Sequence, residues 1–461
     1  MERDLRQLFG TDGIRGVANK DLTPEFVLNV GKSVAKFLNL SSKIEINKQG
    51  VRKKNLKILI GKDTRPSGDF LEAALAAGIM SSGCDVYSAG VLSTPGTAML
   101  SKILGMDGAI VISASHNPLE DNGIKIFKQN GVKLTNEEEE KLEDLILKNG
   151  NFNEDEIIGL DIGRLQKVEN ALEIYINHII KDFCLNLDGL KIAVDCANGA
   201  TSITVPKVLE MFGAKVIKYN TDIYSGLINK NCGSTHPEFL QKIVKESGAD
   251  LGFSYDGDGD RVIGCDRFSR ILDGDVLMAF SAIEMKKNNM LKNNSIVTTI
   301  MANYGFEKAM ADNGIKVYKT KVGDRYVLEK MLENDVIIGG EQSGHIIFRN
   351  YSDIGDGLLS TLTFLNFLLK SNINPDEVYD VIEHYPQELR NLRVKNKNHI
   401  MQSEQLKQKI KEAEKLLQNE GKIVVRSSGT EPLIRVMVEA QTIELVRDIQ
   451  EDLCAFINSL N

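Results

Sequence analysis

The residues best able to do chemistry sit in four short loops. In the first, Ser113, Ser115, His116, Asn117 and Pro118 follow the apolar run 109–112 directly. A buried strand that ends on so many groups able to bond, ionise or attack suggests a serine nucleophile, Ser115, at the carboxyl end of a parallel strand, where ligands of open α/β sheets gather. Ser, Asn and Pro are also ordinary turn formers, so the loop alone reads equally as a capped turn. Adjacent residues on a turn rarely bring an imidazole onto the preceding hydroxyl, so some activation other than a Ser–His pair is expected.

The second loop, SYDGDGDRVIG (254–264), alternates Asp256, Asp258 and Asp260 with glycines and follows them with Arg261. Two such charges 4 Å apart repel by about 4 kcal/mol at an effective dielectric of ~20, so a cation is expected between them. Oxygen-only ligands favour Mg²⁺, Mn²⁺ or Ca²⁺. An EF-hand loop also begins Asp-x-Asp-x-Asp, but Arg261 and Arg267 stand at the sixth and twelfth positions, where Gly and a bidentate Glu are required. A solvated acidic turn is the remaining alternative. The third loop, GGEQSGHIIF (339–348), offers Glu341 and Ser343 on a glycine-flexible turn suited to sugar hydroxyls, or is a plain turn. In the fourth, VVRSSGTEPLIRV (424–436), Arg426, Ser427, Ser428, Gly429 and Thr430 combine a forked donor, hydroxyls and a turn able to present N–H groups, with Arg435 returning on the next strand. That is a phosphate cradle, or a charged hairpin. Jointly, a nucleophile, an oxygen-ligand metal site, a polyol reader and a phosphate cradle point to phosphoryl transfer on a phosphorylated sugar.

The elements that must position these loops are legible in the strand–turn–helix grammar. It runs through 56–83 and continues with strands at 84–90 and 108–115 and a helix near 95–104, then returns at 190–220 and 294–340. Strands alternating with helices imply parallel sheets with right-handed crossovers. After about residue 370 the pattern changes to an exposed helix at 403–418, two strands around a loop at 421–441 and a closing helix at 443–460. At 461 residues roughly three or four domains are expected. The polar segments 148–165 and 370–378 read as linkers, and basic 41–55 as a surface insertion.

A net charge of −8 argues against a nucleic-acid partner, so any phosphate must be held locally. Six scattered cysteines without a C-x-x-C pair fit reduced thiols in the cytoplasm. The most apolar segment, LLSTLTFLNFLL (358–369), is too short and too interrupted to cross a bilayer.

SASHNP, DGDGDR, GEQSGH and RSSGTEP, in this order, together with FGTDGIRG (9–16) and GKDTRPSG (61–68), resemble the signature loops of the α-D-phosphohexomutase family across essentially the whole chain. LFGTDGIRG, Ser113, Gln342 and GTEPLIRVMVEA resemble most the bacterial branch acting on glucosamine phosphates. The resemblance implies an α/β architecture: three related α/β domains with mixed or parallel sheets plus a smaller C-terminal α+β domain around a central cleft. The boundaries expected are 1–157 with the serine loop, 158–253, 254–370 with the metal and sugar loops, and 371–461 with the phosphate loop.

It further implies an intramolecular phosphotransferase of the isomerase class. Ser115 would carry a phosphoryl group, one Mg²⁺ held by Asp256, Asp258 and Asp260 would bind one of its oxygens, and Lys125 would be the general base, its pKa lowered by burial or a neighbouring cation. Arg15, Arg261 and His116 would assist, Glu341 and Ser343 would read sugar hydroxyls, and Arg426, Ser428, Gly429, Thr430 and Arg435 would hold the non-reacting phosphate. The substrate pair would be glucosamine 6-phosphate and glucosamine 1-phosphate through a glucosamine 1,6-bisphosphate intermediate, feeding UDP-N-acetylglucosamine and peptidoglycan synthesis. Glucose or mannose phosphates are the alternative within the family. The expected partner is a small sugar phosphate, with no nucleic acid or membrane, and the chain a monomer or homodimer.

Overall fold

The computed structural model describes residues 8–10, 12–41, 55–148, 157–371, 373–418, 420–427 and 433–460. Ser428, Gly429 and Thr430 lie outside these, as do most of segment 41–55 and residues 149–156 of the expected linker at 148–165. The chain forms two compact units, residues 1–273 with 343–376, and 274–342 with 377–461.

The first unit begins with a seven-stranded sheet in the order Phe9–Gly10, Gly13–Val17, Asp121–Lys128, Gly108–Ile112, Lys57–Lys62, Asp85–Val91, Leu165–Lys167. Lys57–Lys62 pairs in parallel with Asp85–Val91 and Gly108–Ile112, the register that a strand–helix repeat produces. Asp121–Lys128 returns antiparallel beside Gly108–Ile112, so the sheet is mixed. That return places Ile124 opposite Ile112 and Lys125 opposite Val111. Every residue of Gly108–Ile112 is buried, as befits a strand covered on both faces. One face is covered by the helices Pro24–Ser41 and Ser67–Ser81, which touch backbone to backbone because Gly31 and Gly78 stand at the crossing. A Cβ on Gly78 would strike the Leu28 carbonyl, and one on Gly31 the Leu75 carbonyl.

A five-stranded sheet follows, ordered Ile271–Leu272, Val262–Asp266, Leu251–Tyr255, Lys191–Asp195, Lys215–Tyr219. Lys191–Asp195 pairs in parallel with Leu251–Tyr255 on one side and Lys215–Tyr219 on the other. Val262–Asp266 turns back antiparallel on Leu251–Tyr255, so the acidic loop is the tip of a hairpin. The division expected at 253/254 falls inside Leu251–Tyr255, whose sheet continues to Leu272. The apolar segment noted at 358–369 is the buried helix Gly357–Ser371. No described helix is long and apolar enough to cross a membrane.

In the second unit, Ser295–Thr299 is flanked in parallel by Lys316–Thr320 and Ile338–Gly340. The C-terminal part is an antiparallel sheet ordered Gln387–Arg393, Leu433–Ala440, Gly421–Ser427. Helices Glu404–Leu416 and Ile443–Ser459 cover it, burying Ile434, Val436, Val438, Leu453 and Ile457.

Candidate active site

The Ser115 turn and the acidic hairpin meet. Ser115 is buried and holds a left-handed backbone, φ 54°. Its Oγ–H donates to Asp256 Oδ2 at 2.6 Å. The same geometry sets Oγ 3.3 Å from His116 Nδ1, contrary to the expectation that adjacent residues on a turn would not meet. The left-handed Ser115 backbone is what accommodates this approach. Burial, with Arg261 and Arg15 nearby, lowers His116 to about 4, so the imidazole is neutral at physiological pH. Gly257 allows the hairpin to approach, since a Cβ there would press on the Ser115 carbonyl.

Asp256, Asp258 and Asp260 each present an oxygen within 4.8 Å of the others, and all three are buried. Oδ1 of Asp258 and Oδ1 of Asp260 are buried with no hydrogen-bond partner among the described residues. Three converging carboxylates with two orphaned oxygens could hold a hard divalent ion, which takes oxygen ligands and keeps open positions. Burial and the carboxylates of Asp260 and Asp258 push Asp256 well above the ordinary range. Burial acts the same way on Asp260, but Lys125, His345 and Arg261 outweigh it and hold that carboxyl low.

Lys125 departs from expectation. Its ammonium lies 2.6 Å from Asp12 Oδ2, 2.8 Å from Asp258 Oδ2 and 3.8 Å from Asp260 Oδ2. Burial lowers its pKa, yet these three carboxylates more than reverse the effect and raise it above the ordinary lysine value. A lysine so held is a fixed positive charge, the opposite of the lowered pKa that a base requires. Arg15 donates to Asn117 Oδ1 at 3.1 Å and to Asp12 Oδ2 at 2.7 Å. The Arg261 backbone N–H donates to Asp256 Oδ1 at 3.2 Å, while its side chain faces Asp260 at 3.8 Å. Ser115, Lys125, Arg15, His116, Arg261 and the three aspartates are therefore one cluster.

Several members of this cluster carried no role in the sequence reading. Asp12 accepts from Arg15, Lys125 and Lys133, and these cations outweigh burial to keep its carboxyl well below the usual range. Thr94, in the first turn of the helix Thr94–Ile103, donates Oγ1–H to Asp258 Oδ2 at 2.5 Å and its N–H to the Asp258 carbonyl. His345 Nδ1 sits 3.5 Å from Asp260. Asp12 and His345 belong to motifs already singled out, whereas Thr94 carries no local signal.

The division between units falls between Gln342 and Ser343, so Ser343 belongs to the first unit, where it is exposed, and Glu341 to the second. Glu341 is nearly buried and accepts the Gly323 N–H at 2.9 Å. Arg426 and Arg435 stand opposite each other in the C-terminal sheet. Burial and the neighbouring Arg435 lower the Arg426 pKa, with Glu341 opposing. Two guanidiniums side by side, with Arg426 Nε buried and unpartnered among the described residues, suit a phosphate dianion.

Four family models described as phosphoglucomutase/phosphomannomutase match the chain: alpha/beta/alpha domain I at residues 6–153, domain II at 173–268, domain III at 273–385, and the C-terminal domain at 389–456. The chain is 47% identical over 461 residues to the phosphoglucosamine mutase of Carboxydothermus hydrogenoformans, covering 99% of this chain and 100% of that protein. The phosphoglucosamine mutase of Desulforamulus reducens is 44% identical over 456 residues, covering 99% and 100%. Among solved structures, a phosphoglucomutase/phosphomannomutase family protein from Burkholderia thailandensis superposes with a TM-score of 0.79 at 22% identity, covering 97% of each chain, which establishes the shared fold.

Proposed function

Because this chain belongs to the phosphoglucomutase/phosphomannomutase family, we propose that it interconverts glucosamine 6-phosphate and glucosamine 1-phosphate through phospho-Ser115 and a glucosamine 1,6-bisphosphate intermediate. The observation that carries the reading is the buried Ser115 hydroxyl, 2.6 Å from Asp256 within a triad of carboxylates. The amino-sugar assignment is supported by relatives 44–47% identical over nearly the whole chain.

In the forward direction the sugar O1 forms a bond to phosphorus as the phosphorus–Oγ bond of phospho-Ser115 breaks. The O1 proton is lost and Oγ ends protonated, so the net proton transfer is from sugar to serine. Neutral His116, 3.3 Å from Oγ, would relay a proton to it, and Asp256 would then accept the restored Oγ–H, a reading their distances from Oγ support. After the bisphosphate turns over, its 6-phosphoryl returns to Oγ and O6 is protonated, releasing glucosamine 1-phosphate. Such transfers depend on positioning and charge stabilisation more than on a strong base, which suits a Lys125 held as a cation. A Mg²⁺ ion held by Asp256, Asp258 and Asp260 would offset phosphoryl charge at this point. Arg15 and Arg261 add cations near Ser115, Glu341 and Ser343 read sugar hydroxyls, and Arg426 and Arg435, with Ser428, Gly429 and Thr430, bind the non-reacting phosphate. The setting we infer is the cytoplasm, consistent with six free thiols, with the product supplying amino-sugar nucleotides for peptidoglycan.

Peptide mass spectrometry after exchange with glucosamine 1,6-bisphosphate tests the phosphoenzyme. Phosphate on Ser115 is expected; an active protein modified elsewhere, or nowhere, would contradict it.

A further inference from the structure

Behind the Ser115 turn lies a buried guanidinium with no part in the chemistry above. Arg65, just beyond the strand Lys57–Lys62, has all five of its N–H donors engaged. Nε donates to Asp63 Oδ2 at 3.0 Å, Nη1 to the carbonyls of Pro118 and, at 3.0 Å, Asp121, and Nη2 to the carbonyls of Ser115 at 3.1 Å and Asn117 at 2.8 Å. Four carbonyls from the stretch 115–121 thus converge on one cation.

The peptide on the other side of Ser115 is tied to the same pair. Asp63 Oδ2 accepts the Ser113 hydroxyl at 2.5 Å, and Ser113 Oγ in turn accepts the Ser115 N–H at 2.9 Å. From the loop that follows the strand Lys215–Tyr219, Asn229 Nδ2 donates to the carbonyls of Ser115 at 2.8 Å and Asn117 at 3.2 Å, two of the groups Arg65 already holds. A serine at positive φ persists only where its surroundings over-determine the backbone, and these bonds supply that determination. The direction of Cα–Cβ, and with it the approach of Oγ to Asp256, follows from the backbone they fix.

We propose that Arg65 is a positioning residue for phosphoryl transfer, gathering the carbonyls of Ser115, Asn117, Pro118 and Asp121 so that the Ser115 hydroxyl is aimed at Asp256. Lysine cannot replace it, because an ammonium offers three donors from one point where the turn requires a planar fork. This rests on Ser115 being the phosphoryl carrier.

The test is steady-state kinetics of Arg65→Lys and Asn229→Ala beside the wild type, with turnover expressed per phosphoserine, and the phosphoserine resonance recorded by phosphorus NMR. Arg65→Lys is expected to lower kcat per phosphoserine about 10²-fold, the scale of a small misplacement of a reacting group, with KM unchanged and the resonance shifted or broadened. Asn229→Ala, which leaves Arg65 in place, is expected to show a smaller loss of the same kind. A merely structural role would reduce the phosphorylated fraction of Arg65→Lys but leave its turnover per phosphoserine at the wild-type value, and that result would overturn the proposal. A wild type that never acquires phosphate on Ser115 would overturn both this assignment and the reading beneath it. A wild type that does, beside an Arg65→Lys enzyme of equal turnover, would overturn the role of Arg65 alone.

Discussion

Lys125 is surrounded by Asp12, Asp258 and Asp260, and that arrangement decides its part. An ammonium held by three carboxylates balances charge beside the serine, and it also competes with any cation for Asp258. Lys125→Met is therefore expected to lower kcat about 10²-fold while tightening Mg²⁺ binding, measured separately by isothermal titration calorimetry. Weaker Mg²⁺ binding would show that the lysine organises the triad rather than competes with it. His116, lowered to about 4 first by burial and then by Arg261 and Arg15, should contribute no titration step to kcat between about pH 6 and 8. A pH–rate profile of His116→Asn that loses a step in that range would contradict the assignment of a neutral imidazole. Both residues show what a sequence hides. Their positions are legible, but whether a buried lysine rises or falls in pKa depends on which carboxylates the fold brings to it, and Asp12 comes from more than a hundred residues away.

Among the elements, the crossing of Pro24–Ser41 and Ser67–Ser81 has no room for a side chain at Gly78. Gly78→Ala is expected to destabilise the protein by about 1–3 kcal/mol, read by thermal melting, whereas a neutral substitution would mean the helices part freely. In the second unit, Glu439 of Leu433–Ala440 is wholly buried, accepting the Tyr304 N–H at 2.6 Å and Gln387 Nε2–H at 3.1 Å. Burial raises its pKa to about 7 against the opposing charge of Lys422. The folded carboxyl thus retains its proton over a range where the unfolded one has lost it. Its stabilising contribution is complete below about pH 4.5 and is lost as pH rises through about 7, on the order of 3 kcal/mol. Glu439→Gln should flatten that fall in a pH series of melting curves; an unchanged slope would place the titration elsewhere.

The alternating strands and helices from Lys57 to Ile112 were legible because apolar runs of strand length precede glycine-rich turns and amphipathic helices. Gln387–Arg393 was not, because its sequence QELRNLR is polar and its strand exists only by pairing with Leu433–Ala440. The antiparallel return at Asp121–Lys128 was hidden for a similar reason, since strand direction is set by tertiary pairing and not by composition. The serine and acidic loops announced themselves by residue type, whereas Thr94, Arg65 and Asn229 became visible only where the fold placed them against those loops.

For the molecule as a whole, a net charge of −8 is combined with locally concentrated cations: Arg15, Lys125 and Arg261 in one unit, and Arg426 with Arg435 in the other. An acidic protein that handles anions in this way depends on local charge, so chelation by EDTA should abolish turnover and Mg²⁺ restore it, with Ser115 remaining intact throughout. Turnover that survives exhaustive chelation would mean that the orphaned oxygens of Asp258 and Asp260 serve something other than a metal. The central claim is tested most directly by phosphorus NMR of the purified protein with glucosamine 6-phosphate, Mg²⁺ and a trace of glucosamine 1,6-bisphosphate. A growing glucosamine 1-phosphate resonance without inorganic phosphate is the predicted result. Release of inorganic phosphate would indicate a phosphatase, and an unchanged spectrum from protein carrying phospho-Ser115 would contradict the amino-sugar assignment and turn attention to glucose and mannose phosphates.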